Sequence, residues 1–269
     1  MTPIAVTIAG SDSGGGAGLQ GDLKTFSALG VYGACVVTAL TAQNTAGVSA
    51  IHDVPADFVA AQMGAVFGDL HVDAVKIGML SQPAVIHAVA AGLERWRQSK
   101  VVLDPVMVAS TGEALLAPDA IEVLKRVLIP LVLVLTPNLP EAAALLGMPV
   151  AESEDDMRKQ AQALLALGAH AVVLKGGHGE GCDSVDLLVD RNGAVALPLT
   201  RIATRNTHGT GCAFSAAIAA GLAKGMDLEA AVRSAKRYVH AAIAAADTLA
   251  IGSGAGPVHH FHAVWPGKG

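Results

Sequence analysis

The stretch R-N-T-H-G-T-G-C-A-F, Arg205 to Phe214, sets Gly209 and Gly211 on either side of Thr210 and runs into S-A-A-I-A-A, Ser215 to Ala220. A glycine loop thus opens directly into a helix of small residues. Glycines let backbone N–H groups turn toward one point, and a helix N-terminus adds partial positive charge there. Such a nest suits the oxygens of a phosphoryl group, above all while charge spreads over them during transfer. A G-x-G alone is more often the mark of an ordinary turn. The small-residue helix behind it adds weight, because it can lie deep and tight against a sheet and hold the loop rigidly.

No Pro/Ser tract, charge block or composition shift divides the 269 residues, so residues 1–269 are expected to form a single domain. Apolar residues make up 52% and charged residues 15%, which fits helices packed closely on a buried parallel sheet. A net charge of −5 argues against nucleic acid as a partner. The most apolar strand-like run, Val127 to Leu135, is short and interrupted by Pro130, so no membrane span is expected. The start, M-T-P-I-A-V-T-I-A-G, lacks a basic region and reads as a first strand rather than a signal peptide. Cys35, Cys182 and Cys212 stand far apart without metal spacing, which fits a reducing cytoplasm.

Along the chain, strand-like runs alternate with helical ones. Pro3 to Ala9 leads into the glycine-dense Gly10 to Asp22, where backbone must approach a ligand closely. Within it Asp12 and Asp22 are candidate ligand contacts or simple turn and cap residues. A helix over Leu19–Leu29 is followed by a strand over Ala34–Leu40 and a polar loop, T-A-Q-N-T, Thr41 to Thr45. Pro55–Asp69 and Pro83–Arg97 read as helices flanking a strand, Asp73–Ile77, that runs into K-I-G-M-L, Lys76 to Leu80. Lys100–Leu103 ends at Asp104, in D-P-V-M-V-A-S-T-G, where open α/β sheets present ligands. After a helix over Pro118–Val127 and a strand over Leu131–Leu135 comes T-P-N-L-P-E-A, Thr136 to Ala142. Pro137 and Pro140 predict a stiff loop up to Glu141, from which Asn138 and Glu141 project; with Asp104 they resemble a Mg²⁺ site that keeps its waters. Both residues would equally serve as helix caps. Ser153–Leu167 reads as a helix with an S-x-x-D cap, and Ala169–Leu174 as a strand ending in K-G-G-H, whose Lys175 is a candidate phosphate contact. Ser184–Asp190 and Ala194–Leu199 form a hairpin around Asn192-Gly193, and Asp227 caps a last helix to about Asp247. His259, His260 and His262 read as structural or surface residues rather than a metal tract.

Taken together, A-G-S-D-S-G-G-G-A-G-L-Q-G-D-L-K-T-F, T-A-Q-N-T, K-I-G-M-L, D-P-V-M-V, T-P-N-L-P-E-A, K-G-G-H and N-T-H-G-T-G-C resemble the hydroxymethylpyrimidine/phosphomethylpyrimidine kinases of thiamine biosynthesis, a family of the ribokinase-like superfamily. The resemblance runs in order from Ile4 to the C-terminus. It implies a three-layer α/β domain: a central, mostly parallel sheet, helices on both faces and a small flap. It implies ATP and Mg²⁺ as cofactors, with phosphorylation first of 4-amino-5-hydroxymethyl-2-methylpyrimidine and then of its monophosphate. Gln43 matches the family's pyrimidine-binding glutamine and Asp22 its partner on the aminopyrimidine; Gly10, Met79 and Val106 complete the substrate contacts. Gly209, Thr210, Gly211 and Cys212 match the anion hole. Asn138, Lys175 and Thr207 match nucleotide contacts, and Asp104 and Glu141 the metal site. A cytoplasmic homodimer is expected. The match departs at Gly14, where the family usually has Ser, and at Ala213, where it usually has Thr. A pyridoxal or pyridoxine kinase is the rival enzyme, since Gln43 both donates and accepts and would serve a pyridine too. A ligand sensor on the same fold is the rival of another class, disfavoured by the retained Asp104, Glu141 and G-T-G-C.

Overall fold

Strands that are apolar on both faces need cover on both sides, and here helices supply it. The computed structural model describes residues 1–108, 115–177 and 183–265. Its strands are β1 (Ile4–Gly10), β2 (Tyr32–Asn44), β3 (Gly47–Asp53), β4 (Ala74–Ile77), β5 (Val101–Leu103), β6 (Val134–Leu135), β7 (Ala171–Leu174), β8 (Asp183–Asp190) and β9 (Gly193–Thr200). Its helices are α1 (Gly18–Ala28), α2 (Ala56–Asp69), α3 (Pro83–Arg95), α4 (Pro118–Val123), α5 (Leu139–Leu146), α6 (Glu154–Leu165), α7 (Thr210–Ala223) and α8 (Leu228–Ala244). All the strands join one sheet in the order β3-β2-β1-β4-β5-β6-β7-β8-β9. From β2 to β7 neighbours run parallel, while β3, β8 and β9 are antiparallel additions at the two edges. The expected mostly parallel α/β sheet with helices on both faces is what forms.

Alternation along each strand divides the core in two. Val6, Ile8, Val101, Leu103, Val172 and Leu174 point into the layer that holds α2, α3, α5 and α6. Ala5, Val102, Ala171 and Val173 face α7 and α8. From Ala213 to Ala223 every residue of α7 is buried, so this helix is core on all sides.

Three expectations are corrected. T-A-Q-N-T is not a loop: Thr41 to Asn44 extend β2, which pairs with β3 as a hairpin, the expected flap, with a bulge between Ala42 and Gln43. The helix over Pro118–Val127 stops at Val123 and passes through a wider turn at Leu124–Leu128 and a tight one at Ile129–Leu131 around Pro130, which leaves β6 only Val134–Leu135. The third concerns α5. It starts at Leu139, so Pro140 lies in its first turn, where no helical bond uses its missing N–H. Of the stretches singled out above, Ala109 to Gly112, His178 and Cys182 lie outside the described residues.

Candidate active site

Parallel strands end on one side of the sheet, and the predicted residues collect there. Across the sheet from the flap stand Gln43 on β2, Gly10 on β1, Met79 after β4, Asp104 and Val106 after β5, Asn138 after β6 and Lys175 after β7. Over the middle of this row sits the N-terminus of α7, which packs on β1, β4 and β5. Gly209 caps α7 with φ 82°, a left-handed conformation open to glycine, and no side chain caps the helix. The first-turn N–H groups of Gly211 and Cys212 therefore have no intrahelical partner. Thr207 O accepts from both Thr210 N and Thr210 Oγ1, which fixes the loop before the helix.

Beside this nest lies a compact charge cluster. Lys175 Nζ is 2.8 Å from Asp104 Oδ1 and 4.0 Å from Glu141 Oε2. A Cβ on Gly211 would lie 3.2 Å from Lys175 Nζ and 3.7 Å from Asp104 Oδ2, so the loop and the cluster form one site. Burial works against the charge on Lys175, but Asp104 and Glu141 outweigh it and raise its pKa. Burial pushes Glu141 up to about 7, with Asp104 adding to the rise and Lys175 opposing it. Asn138 and Glu141 also form a reciprocal cap on α5: Glu141 N donates to Asn138 Oδ1, and Asn138 N donates to Glu141 Oε2, each at 2.8 Å. The cap and the charge cluster thus use the same carboxylate.

At the other end of the site, Gly10 approaches Met79 closely: a Cβ on Gly10 would meet Met79 Sδ at 2.9 Å. Gln43 is fixed through its backbone by Ser13, whose Oγ donates to Gln43 O and accepts from Gln43 N, both at 2.8 Å. Asp22 departs from an open ring contact. It is fully buried, and its Oδ2 accepts from Thr7 Oγ1 at 2.6 Å and Lys76 Nζ at 2.8 Å. Only Oδ1 is left without a partner. Against the cost of burial, Asp22, Cys212 and Asp104 hold Lys76 charged by raising its pKa. Cys212 stands between the two ends, near enough for the charges of Lys76, Asp22 and Asp104 all to act on its thiol. Burial pushes that thiol up to about 11; Lys76 and the Gly18 N–H oppose the rise, and Asp22 and Asp104 add to it.

Several residues here had no sequence signal of their own. Lys76 lies inside a quoted motif, but nothing marked it as the partner of Asp22. Ser215 Oγ, 3.4 Å from Asp104 Oδ2, and Thr136 Oγ1, 3.4 Å from Asp104 Oδ1, flank the carboxylate unannounced. Of the C-terminal histidines, His259 and His260 are buried. Of the two departures, Ala213 is fully buried in α7, and a Cβ on Gly14 would crowd Asn44 Cα and Asp12 Oδ1 at 3.2 Å.

A family model described as phosphomethylpyrimidine kinase matches residues 12–259. The chain belongs to the phosphomethylpyrimidine kinase family. It is 61% identical over 265 residues to a hydroxymethylpyrimidine/phosphomethylpyrimidine kinase of Rhizobium meliloti, covering 98% of this chain and 99% of that one. It is 53% identical over 256 residues to a thiamine biosynthesis bifunctional protein of Geobacter sulfurreducens, covering 95% of this chain and 52% of that longer one. Among solved structures it resembles the pyridoxal kinase of Staphylococcus aureus in complex with AMP-PCP and pyridoxal, with TM-score 0.90 and 34% identity over 98% of this chain and 95% of that one. No described helix of this phosphomethylpyrimidine kinase family member is long and apolar enough to cross a membrane.

Proposed function

We propose that the protein transfers a phosphoryl group from ATP to the hydroxymethyl group of 4-amino-5-hydroxymethyl-2-methylpyrimidine, and then another to the monophosphate, in thiamine biosynthesis. The observation that carries the reading is the approach of the open α7 N-terminus to Asp104 and Lys175, with the loop after β1 fastened to the anion loop through Asp12 and His208. The N–H groups of Gly211 and Cys212 receive the oxygens of the transferring phosphoryl group, where the charge that develops is stabilised by fixed dipoles. Lys175 adds a point charge beside them, and Asn138 and Thr207 border the nucleotide. Gln43, Gly10, Met79 and Val106 hold the ring, above the buried Asp22–Lys76 pair. The hydroxymethyl oxygen forms the new bond to phosphorus as the bond to ADP breaks, and its proton is released to water. A neutral Cys212 thiol beside it leaves room for the phosphate of the second acceptor.

Asp104 and Glu141 are the hard oxygen ligands that Mg²⁺ takes, and they would hold it mainly through its waters. When bound, the ion would neutralise phosphate charge. We take the protein to act as a homodimer, for which exposed Leu40 and Ile51 on the β2–β3 hairpin offer apolar surface. The isolated thiols suit a reducing cytoplasm.

Pyridoxal phosphorylation is the second reading, favoured by the likeness to the pyridoxal kinase. Steady-state kinetics with the free pyrimidine, its monophosphate and pyridoxal side by side decide between them. Both pyrimidines are expected to be turned over with kcat/KM above that of pyridoxal. Turnover of pyridoxal alone would overturn the assignment.

A further inference from the structure

Thr41 has one hydroxyl proton and two oxygens within reach. Its Oγ1 is 2.7 Å from Ser11 O and 3.1 Å from Gln43 Oε1. A carbonyl can only accept, and Ser11 O has no other donor among the described residues. Thr41 is 9% exposed, a setting in which an unsatisfied carbonyl is costly. The proton therefore goes to Ser11, and Thr41 turns a lone pair toward Gln43. Two accepting oxygens at that separation repel each other. The two ends of a carboxamide have the same shape, so the hydrogen-bond network decides which one faces a given partner.

We propose that Thr41 is a positioning residue for substrate choice: it holds the Gln43 carboxamide with Nε2 donating to Thr41 Oγ1 and Oε1 turned into the pocket. Ser13 removes the other freedom by clamping Gln43 N and O, at the bulge where β2 leaves its regular register. A fixed acceptor aimed at the ring edge selects an edge that carries an N–H donor. An exocyclic amine next to the hydroxymethyl carbon meets that requirement; a ring with only carbon-bound hydrogen there leaves Oε1 unpaired. The proposal rests on the reading of Gln43 as a ring contact.

The test compares kcat/KM for the aminopyrimidine and for 5-hydroxymethyl-2-methylpyrimidine, which lacks the amine. It uses the unsubstituted protein, Thr41→Val, Thr41→Ser and Gln43→Ala. The unsubstituted protein is expected to prefer the amine-bearing ring by about tenfold or more, the discrimination of an acceptor left unpaired. Thr41→Val cannot accept from Nε2 and is expected to lose most of that ratio, whereas Thr41→Ser retains it. Gln43→Ala abolishes it. A ratio is insensitive to the amount of folded protein, and if Thr41→Val does not fold, Thr41→Ala is judged by the same criterion. An unchanged ratio in the Thr41 variant, with the ratio lost in Gln43→Ala, overturns the orientation and leaves the ring contact standing. An unchanged ratio in Gln43→Ala overturns the ring contact and the proposal with it.

Discussion

Asp12 and His208, 196 residues apart in the chain, meet at 2.8 Å between Oδ2 and Nε2. The same carboxylate accepts from the N–H groups of Gly14, Gly16 and Ala17, so one side chain shapes the loop after β1 and fastens it to the anion loop. A Cβ on Gly209 would overlap the Gly16 carbonyl, which shows how closely the two loops are seated. Burial works against the Asp12 charge, but His208 and the N–H donors prevail and hold its pKa below the ordinary value. Asp12→Ala is expected to lower kcat/KM about 100-fold through misplacement of the two loops. Steady-state kinetics checks this, with urea unfolding to separate the loss from a change in stability. A stability loss with unchanged kinetics would confine Asp12 to a structural role.

Lys76 and Asp22 are both fully buried at the foot of the site. Removing one charge strands the other. Lys76→Met is expected to cost about 3–5 kcal/mol of unfolding free energy. The double variant Lys76→Met/Asp22→Asn should recover much of that, since no unpaired charge remains. Chemical denaturation of the single and double variants measures the coupling; additive losses would show that the pair is not a unit.

Glu141 serves the α5 cap and the charge cluster together, and glutamine separates the two. Glutamine suits the capping position as glutamate does, but carries no charge. Glu141→Gln is expected to keep the α5 cap while raising the Mg²⁺ concentration for half-maximal turnover several-fold. Titrating Mg²⁺ in both proteins decides it. The same half-maximal concentration in both would leave Glu141 as a cap alone.

The Cys212 thiol is pushed up to about 11 by burial, although a helix N-terminus ordinarily lowers a thiol's pKa. Because the shift disfavours the thiolate, alkylation should stay slow through neutral pH and climb only as pH approaches 11. At pH 8 the rate should be at least about 100-fold below that of free cysteine. Iodoacetamide labelling read at the Cys212 peptide tests this; fast labelling at pH 7 would mean that the helix end prevails over burial.

Cys212→Asp would place a carboxylate where the phosphate of the second acceptor is held. Two such charges at ~4 Å repel by about 4 kcal/mol at an effective dielectric near 20. The variant is expected to keep part of its activity on the free alcohol and to lose most of it on the monophosphate. Equal retention on both acceptors would remove repulsion as the reason for a thiol there.

The strand–helix alternation and the G-T-G-C loop were legible because each rests on local pattern: apolar runs, caps and glycine spacing. Ser153 and Asp227 cap their helices where the pattern placed them. Thr41 to Asn44 misled because a half-exposed hairpin strand carries polar and small residues just as a loop does. Pro140 misled because the same residue forbids a helix interior and favours its first turn. The joints of the site were out of reach for a different reason. Lys76 meets Asp22 across 54 residues and His208 meets Asp12 across 196, and no window of sequence carries such pairings.

The run of buried small residues along α7 makes the helix a rigid pushrod whose tip is the anion loop. At 1.5 Å per residue, Ala220 lies roughly 14 Å behind Gly211. Ala216 and Ala220 are fully buried, so a bulkier side chain at either presses on the packed sheet and helices around it; the rod slides or tilts, and its tip goes with it. Redesign for thermal stability that fills out this helix would therefore spoil turnover from the far end, with no substituted atom near a substrate.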